Sequence, residues 1–484
     1  MDLYFPDLNI AITKQVEARL WAAHGRVNAK FRSYLATLRE AAAKKKYVER
    51  RKAEALYLTF LKSSIKFYRG FIQRLAANFK NVPEILKIAH AFGLESASAH
   101  PRIEPDLDQK GALLRSCHDT LIRLGDLSRY RETEIPKDAK QRNWAPALGY
   151  YDLAGALLPT DGQAFNQKAV ISLTINDHLR SVYYLYRALT VAQPHPNAEA
   201  NLEVELKKII RRQAKGETLL VDIELEQAFL TFHARCLLDE NFQNYKDHGL
   251  QLASDFGDAL HSKPYDPSFR KMVLINMAAS EHAWVSASKI VAKDPKLAIR
   301  RIQSYQKLQD FNIDFFIVLL RMLHLELKSL AQVQADKVEG SDSIHSMTPP
   351  ARKILPLVRL YSSWLLSKAE KLLEAQQTQN FHPHLSMLWQ GYAATTSRLV
   401  EVFQIQDLPE VNYLLDEDYD TAAFLVWSEK AKERRLFDVT GNMKPSRSEA
   451  GPGTVLPPDM EMLARVRDLV TDSVYFKKKK VGQD

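Results

Sequence analysis

The sequence is short of cysteine, with only Cys117 and Cys236 in 484 residues. Both stand in apolar helical patterns, so neither a disulfide framework nor a thiolate metal site is expected, and a reducing compartment is. Long apolar runs are missing too. The most apolar window, 315–325, is interrupted by Arg321 and His324 and flanked by Asp314 and Glu326. It is too short for a bilayer and reads as a buried helix, so no membrane partner is expected. The start, Met1-Asp2-Leu3-Tyr4-Phe5-Pro6, has neither the basic region nor the apolar stretch of a signal peptide. Glycine, at 17, is scarce beside an average near 7%, and no alternating apolar run reads as a strand. The expectation is a soluble, intracellular, all-α protein. No glycine-rich phosphate loop, nucleophile elbow or paired-carboxylate motif is visible. His382-x-His384 is broken by Pro383 and has no nearby third ligand. The Asp416–Asp420 run reads as a solvated loop. These absences predict a protein that is not an enzyme and needs no metal or cofactor.

What is present is charge, unevenly placed. The net charge is +9, yet residues 1–80 alone carry 17 Lys or Arg against six Asp or Glu. A localised basic region is a footprint for an anionic partner. Apolar residues recur at three and four along 12–46, flanked by Arg19, Arg26, Lys30 and Ser33, and again along 53–79. Between these helices lie Lys44, Lys45, Lys46, Arg50, Arg51 and Lys52, with Tyr47 among them. The cluster suits nucleic acid, although it lacks the repeated aromatics of a base-stacking platform.

The stretch 121–131 is the centre of the reading. Leu114, Cys117, Leu121 and Leu124 place one face of this helix in a core. Arg129 and Tyr130 follow about 100° apart, so both border one groove. A guanidinium fork beside a phenol suits a phosphate dianion. The same spacing also allows Arg129 to pair with Asp126 on a wet surface. Beyond 136, the pairs Ala147/Val182, Tyr151/Tyr186 and Ala154/Leu189 repeat at an offset of 35, close to the tetratricopeptide period. Helical patterns then run to 404. The loops 339–350 and 441–458 are rich in Gly, Ser, Thr and Pro and are expected to be mobile. The chain ends on Lys477–Lys480 and Val-Gly-Gln-Asp without a helix stop, as expected of a piece of a longer chain.

At Arg129 a resemblance enters. Gly125-Asp126-Leu127-Ser128-Arg129-Tyr130 resembles the phosphoserine-holding helix of 14-3-3 proteins. Trp144, Tyr150-Tyr151, Leu157-Leu158-Pro159-x-Asp161-Gly162-Gln163, Asn166-Gln167, Asn176-Asp177-His178 and Pro194-x-Pro196 follow. With Leu20-Trp21 and Leu408-Pro409-Glu410, they resemble the telomerase-regulatory Est proteins and the Smg adaptors of nonsense-mediated mRNA decay. The resemblance implies a 14-3-3-like domain of tetratricopeptide-type hairpins over 1–212 and an α-helical hairpin domain over 213–484. It implies a phosphate pocket of Arg26, Arg129 and Tyr130, with Asn166 clasping the peptide backbone. Asn166 also fits a plain role satisfying backbone groups in a hairpin. Lys30 joins the pocket by helical spacing, one turn beyond Arg26. Arg26 stands where lysine is usual, which keeps the charge. The loop, short helix and lysine run after Gly441 leave no room for the nuclease domain that some members carry.

By that resemblance the expected function is a decay adaptor binding the phosphorylated up-frameshift RNA helicase, with a second family member as a heterodimer partner. The alternative is a telomere regulator that binds telomerase or telomeric single strands through the basic N-terminal region. Cytoplasm and nucleus are the expected locations.

Overall fold

The computed structural model describes residues 8–40, 46–93, 103–135, 142–215, 224–238, 242–335, 347–377 and 384–478. Lys44, Lys45 and His382 lie outside them. Among the described residues there is no strand, only two isolated bridges, Phe79–Ile103 and Phe437–Met443. The chain divides into two compact units, Met1–Asn176 and Asp177–Asp484.

The first unit contains α1 (Leu8–Thr13), α2 (Val16–Glu40), α3 (Tyr47–Asn78), α4 (Pro83–Ala91), α5 (Leu107–Glu134), α6 (Ala145–Leu157) and α7 (Gln163–Thr174). Helix α5 is started by a reciprocal cap, in which the Asp106 side chain accepts from Gln109 N–H at 2.8 Å and Gln109 answers. Leu121–Ser128 are buried at every position, so neighbours cover α5 on all sides: α3 and α6 pack against it, with the edges of α1, α2, α4 and α7. Tyr57, Leu61, Tyr68 and Ile72 of α3 and Leu113, Cys117, Leu121 and Leu124 of α5 form the centre of this core. Fully burying side chains of this size stabilises by about 1.5–3 kcal/mol each. Asn28, buried on α2, accepts a hydrogen bond from the Tyr57 hydroxyl.

The second unit begins with α8 (His178–Leu189), α9 (Ala198–Ala214), α10 (Glu224–Leu238) and α11 (Tyr245–Ser262). Helices α12 (Pro267–Ile290) and α13 (Pro295–Ala335) form its spine, and α13 is about 60 Å long at 1.5 Å per residue. Helices α14 (Pro349–Gln377), α15 (Leu385–Val402), α16 (Asp416–Tyr419), α17 (Glu429–Leu436) and α18 (Pro458–Lys478) complete it. No helix among the described residues is long and apolar enough to cross a membrane. Residues 315–325 belong to α13, where Phe315, Phe316, Leu319, Leu320 and Leu323 are buried. Cys117 and Cys236 are buried and free, and burial pushes both thiols up.

The two units meet at 176, because α8 packs on α12 and α9 on α10, both later in the chain. Two expectations change. The 441–458 segment is a tied loop. Asp438 caps it by accepting from Thr440 and Asn442 N–H at 2.8 and 3.0 Å. Leu414 N–H donates to Pro445 at 2.9 Å, and Ala450, Val455 and Leu456 cover Val411, Tyr413 and Leu415. Finally, Glu417 and Asp418 of the acidic run are buried, held by arginines rather than by water.

Candidate phosphate-binding site

The last turns of α5 are shaped by Gly125. A Cβ there would strike the ring of Tyr151, so glycine is what lets α6 lie this close. Tyr151 is fully buried, and its hydroxyl donates to Asp126 Oδ1 at 2.8 Å. The same oxygen accepts from Arg129 Nη2 at 3.1 Å, and Arg129 Nε donates to the Tyr151 hydroxyl at 3.5 Å. The guanidinium therefore stands in a fixed orientation, 4.8 Å from the centroid of the Tyr130 ring. Of five N–H donors on an arginine, two are used here. The side chain is 15% exposed.

The electrostatics follow. Burial raises the Asp126 carboxyl, against the pull of Arg129 and Tyr151. Burial lowers Arg129, but Tyr151 and Asp126 outweigh it, so the guanidinium stays charged. Burial also raises the Tyr130 phenol, which keeps it a neutral donor.

From α2, Arg32 approaches Tyr130, 5.7 Å from the ring centroid, and its Nε lies 2.7 Å from Glu134. Glu134 also receives Arg39 at 3.8 Å. The Arg32 side chain is 50% exposed. Arg32 lies off the stripe of Arg19, Arg26, Lys30 and Ser33 that the sequence pattern picks out. The available signal was its offset of four from Asn28, which puts both beside the buried stripe.

Arg129 and Tyr130 are thus brought together. Arg26 and Lys30 are exposed on α2, each roughly 160° around the helix from buried Asn28. Neither has a hydrogen bond or ion pair among the described residues. Arg32 is an α2 cation that approaches the Tyr130 ring. Asn166 is 4% exposed on α7, so its amide is covered. Within the basic cluster, Lys46, Arg51 and Lys52 are exposed. Arg50 pairs with Glu54 at 3.6 Å, and Arg50 and Arg51 both approach the Tyr47 ring, at 5.4 and 5.7 Å. His384 is bound to Asp314, and no group of metal-holding side chains occurs among the described residues.

Residues 147–430 match the family described as the Est1 DNA/RNA binding domain, and residues 15–134 match telomerase activating protein Est1. The chain belongs to the Est/Smg family. The relatives it matches include a decay factor and a telomere protein. The chain is 28% identical over 262 residues to nonsense-mediated mRNA decay factor SMG7 of Danio rerio, covering 54% of this chain and 21% of that protein. It is 29% identical over 174 residues to telomere elongation protein est1 of Schizosaccharomyces pombe, covering 34% of this chain and 35% of that one. The chain therefore spans only about a fifth to a third of the length of these relatives. A crystal structure of Est1 and Cdc13 superposes with a TM-score of 0.66 at 15% identity, covering 94% of this chain and 86% of that one. The shared fold is all-α and 14-3-3-like.

Proposed function

We propose that this chain is a non-enzymatic adaptor whose first unit binds a phosphoserine- or phosphothreonine-containing segment of a partner protein. The observation that carries this reading is the Arg129 guanidinium, fixed by Asp126 and Tyr151 with donors to spare beside Tyr130. A phosphate placed there gains charge-assisted hydrogen bonds worth about 1.5–3 kcal/mol each. Arg32 supplies a second, more exposed guanidinium, and Arg26 and Lys30 add field from the outer face of α2. Kinship with SMG7 favours a decay role, with the phosphorylated up-frameshift helicase as partner, a second family member as heterodimer partner, and action in cytoplasm and nucleus.

The test is fluorescence anisotropy with one acidic Ser-Gln peptide, phosphorylated and not. Wild type binds only the phosphopeptide, Arg129→Glu abolishes binding, and Arg26→Glu weakens it less than Arg32→Glu. Equal affinity for both peptides rejects the pocket.

A second reading, a telomere-associated nucleic-acid binder, is favoured by the DNA/RNA-binding family match over 147–430 and by the est1 relative. It predicts oligonucleotide binding with a steep salt dependence.

A further inference from the structure

We infer that the hairpin of α12 and α13 carries a docking ledge for an extended, proline-rich peptide in the polyproline II conformation. The ledge lies wholly within the second unit and is independent of the phosphate pocket. Between 284 and 302 six large apolar side chains are exposed, Trp284, Val285, Val291, Leu297, Ile299 and Ile302, more than in any other stretch of that length among the described residues. Exposed apolar side chains gathered in this way mark a contact surface, whereas scattered ones need no explanation.

The local sequence lines several of them up. On α12, Trp284, Ser288 and Val291 recur at four and three residues, and on α13 Ile302 and Tyr305 stand three apart, so each set shares a face. The short turn 291–294 brings the two helices back side by side. The Trp284 and Tyr305 rings meet across the hairpin, with centroids 5.2 Å apart and planes at 49°. Toward the turn, Val291 and Ile302 continue the apolar surface, and Val291 stands about 10 Å from Trp284 along α12. Lys371 of α14, 5.9 Å from the Trp284 ring centroid, gives the ledge a polar rim.

Two polar groups decide the occupant. Neither the Trp284 indole N–H nor the Tyr305 hydroxyl has a hydrogen-bond partner among the described residues. Burial, with Glu281 and Asp310 nearby, pushes the Tyr305 phenol up to about 12, so it stays a neutral donor. An α-helix laid on the ledge would leave both donors unanswered, because its carbonyls are bonded within the helix. A polyproline II strand has no internal hydrogen bonds, so its carbonyls are free to accept. Its turn of three residues rises about 9 Å, close to the length of the ledge. Prolines three apart therefore rest on the Trp284–Tyr305 rings and on Val291–Ile302, in the manner of aromatic-lined grooves that take such peptides.

The experiment uses the full chain with fluorescein-labelled deca-proline, read by anisotropy, while NMR follows the Trp284 indole N–H signal. Trp284→Phe and Tyr305→Phe each keep a ring and remove one donor. Each should weaken binding about fivefold, as for one lost hydrogen bond, with the melting temperature unchanged. The wild-type Trp284 signal should shift along the same saturation curve, and a glycine–serine decapeptide, with more freedom to lose, should bind about tenfold more weakly. Deca-proline affinity retained in both variants, with no shift at Trp284, overturns the ledge. So does binding of a leucine–lysine amphipathic helix in place of deca-proline, which would make the surface a helix groove. Dimerisation that broadens the Trp284 signal and excludes deca-proline overturns it in favour of a second copy of this chain. Wild type without affinity for deca-proline overturns it outright.

Discussion

Arg129 in the first unit and Arg359 in the second are both arginines beside carboxylates, and they do opposite things. Arg359 donates to Asp418 at 2.7 and 3.2 Å, to Glu417 at 3.1 Å and to Asp468 at 2.7 Å. Arg465 closes on Glu417 with two bonds of 2.8 Å and donates to the Glu461 carbonyl at 3.1 Å. Burial pushes Glu417 up, but Arg465 and Arg359 outweigh it and bring it to about 2. These guanidiniums are committed to carboxylates, with side chains 3–4% exposed. Arg129 shares a single carboxylate oxygen with a tyrosine and keeps donors at the surface. A guanidinium's role is read from its uncommitted donors, and residue type alone does not give it.

The largest expected effect breaks the spent network. Arg465→Met leaves buried Glu417 with Arg359 as its remaining arginine and should cost about 3–5 kcal/mol in urea unfolding, while phosphopeptide affinity of the folded protein is unchanged. The network has an acid limit. Glu417 sits below its ordinary 4.5, so its stabilisation is complete above pH 4.5 and is lost as pH falls toward 2.

Next in size is His233. It is fully buried, its Nε2 lies 2.8 Å from Asn276 Oδ1, and burial brings it from 6.5 to about 4. The native ring is neutral, so the unfolded chain binds more protons between those values. Stability should fall as pH drops from 6.5 to 4, by up to about 3 kcal/mol, and His233→Gln should flatten that limb in unfolding midpoints.

A smaller effect sharpens the other side of the comparison. Gly125→Ala pushes Tyr151 off α5, costs about 1–3 kcal/mol of stability, and weakens phosphopeptide binding because Arg129 loses its orientation. Smallest is Arg32→Gln. Its ion pair is exposed and worth at most about 1 kcal/mol to the fold, so the melting temperature should hardly move. Phosphopeptide affinity should fall roughly fivefold, the equivalent of about 1 kcal/mol.

Much of this was legible in the sequence, because helices announce themselves through local spacing. The pattern around Cys117, Leu121 and Leu124 located α5. Pairing across long stretches was not legible. Glu417 reads as solvated until Arg465 and Arg359, 48 and 58 residues away, are brought to it. The meeting of the two units at 176 has the same cause, since α8 packs on α12 far along the chain. At the site, the Asp126–Arg129 pair and the phosphate-facing arginine were posed as alternatives. The geometry holds the pair, and the pair itself orients the donors left over.

The most direct test follows the arginine Nε–H signals of the full chain by NMR while phosphopeptide is added. Arg129 and Arg32 should shift with a common saturation curve, while Arg359 and Arg465 stay still. Shifts in the second set, or none at Arg129 under saturating phosphopeptide, would contradict the assignment of spent and available guanidiniums.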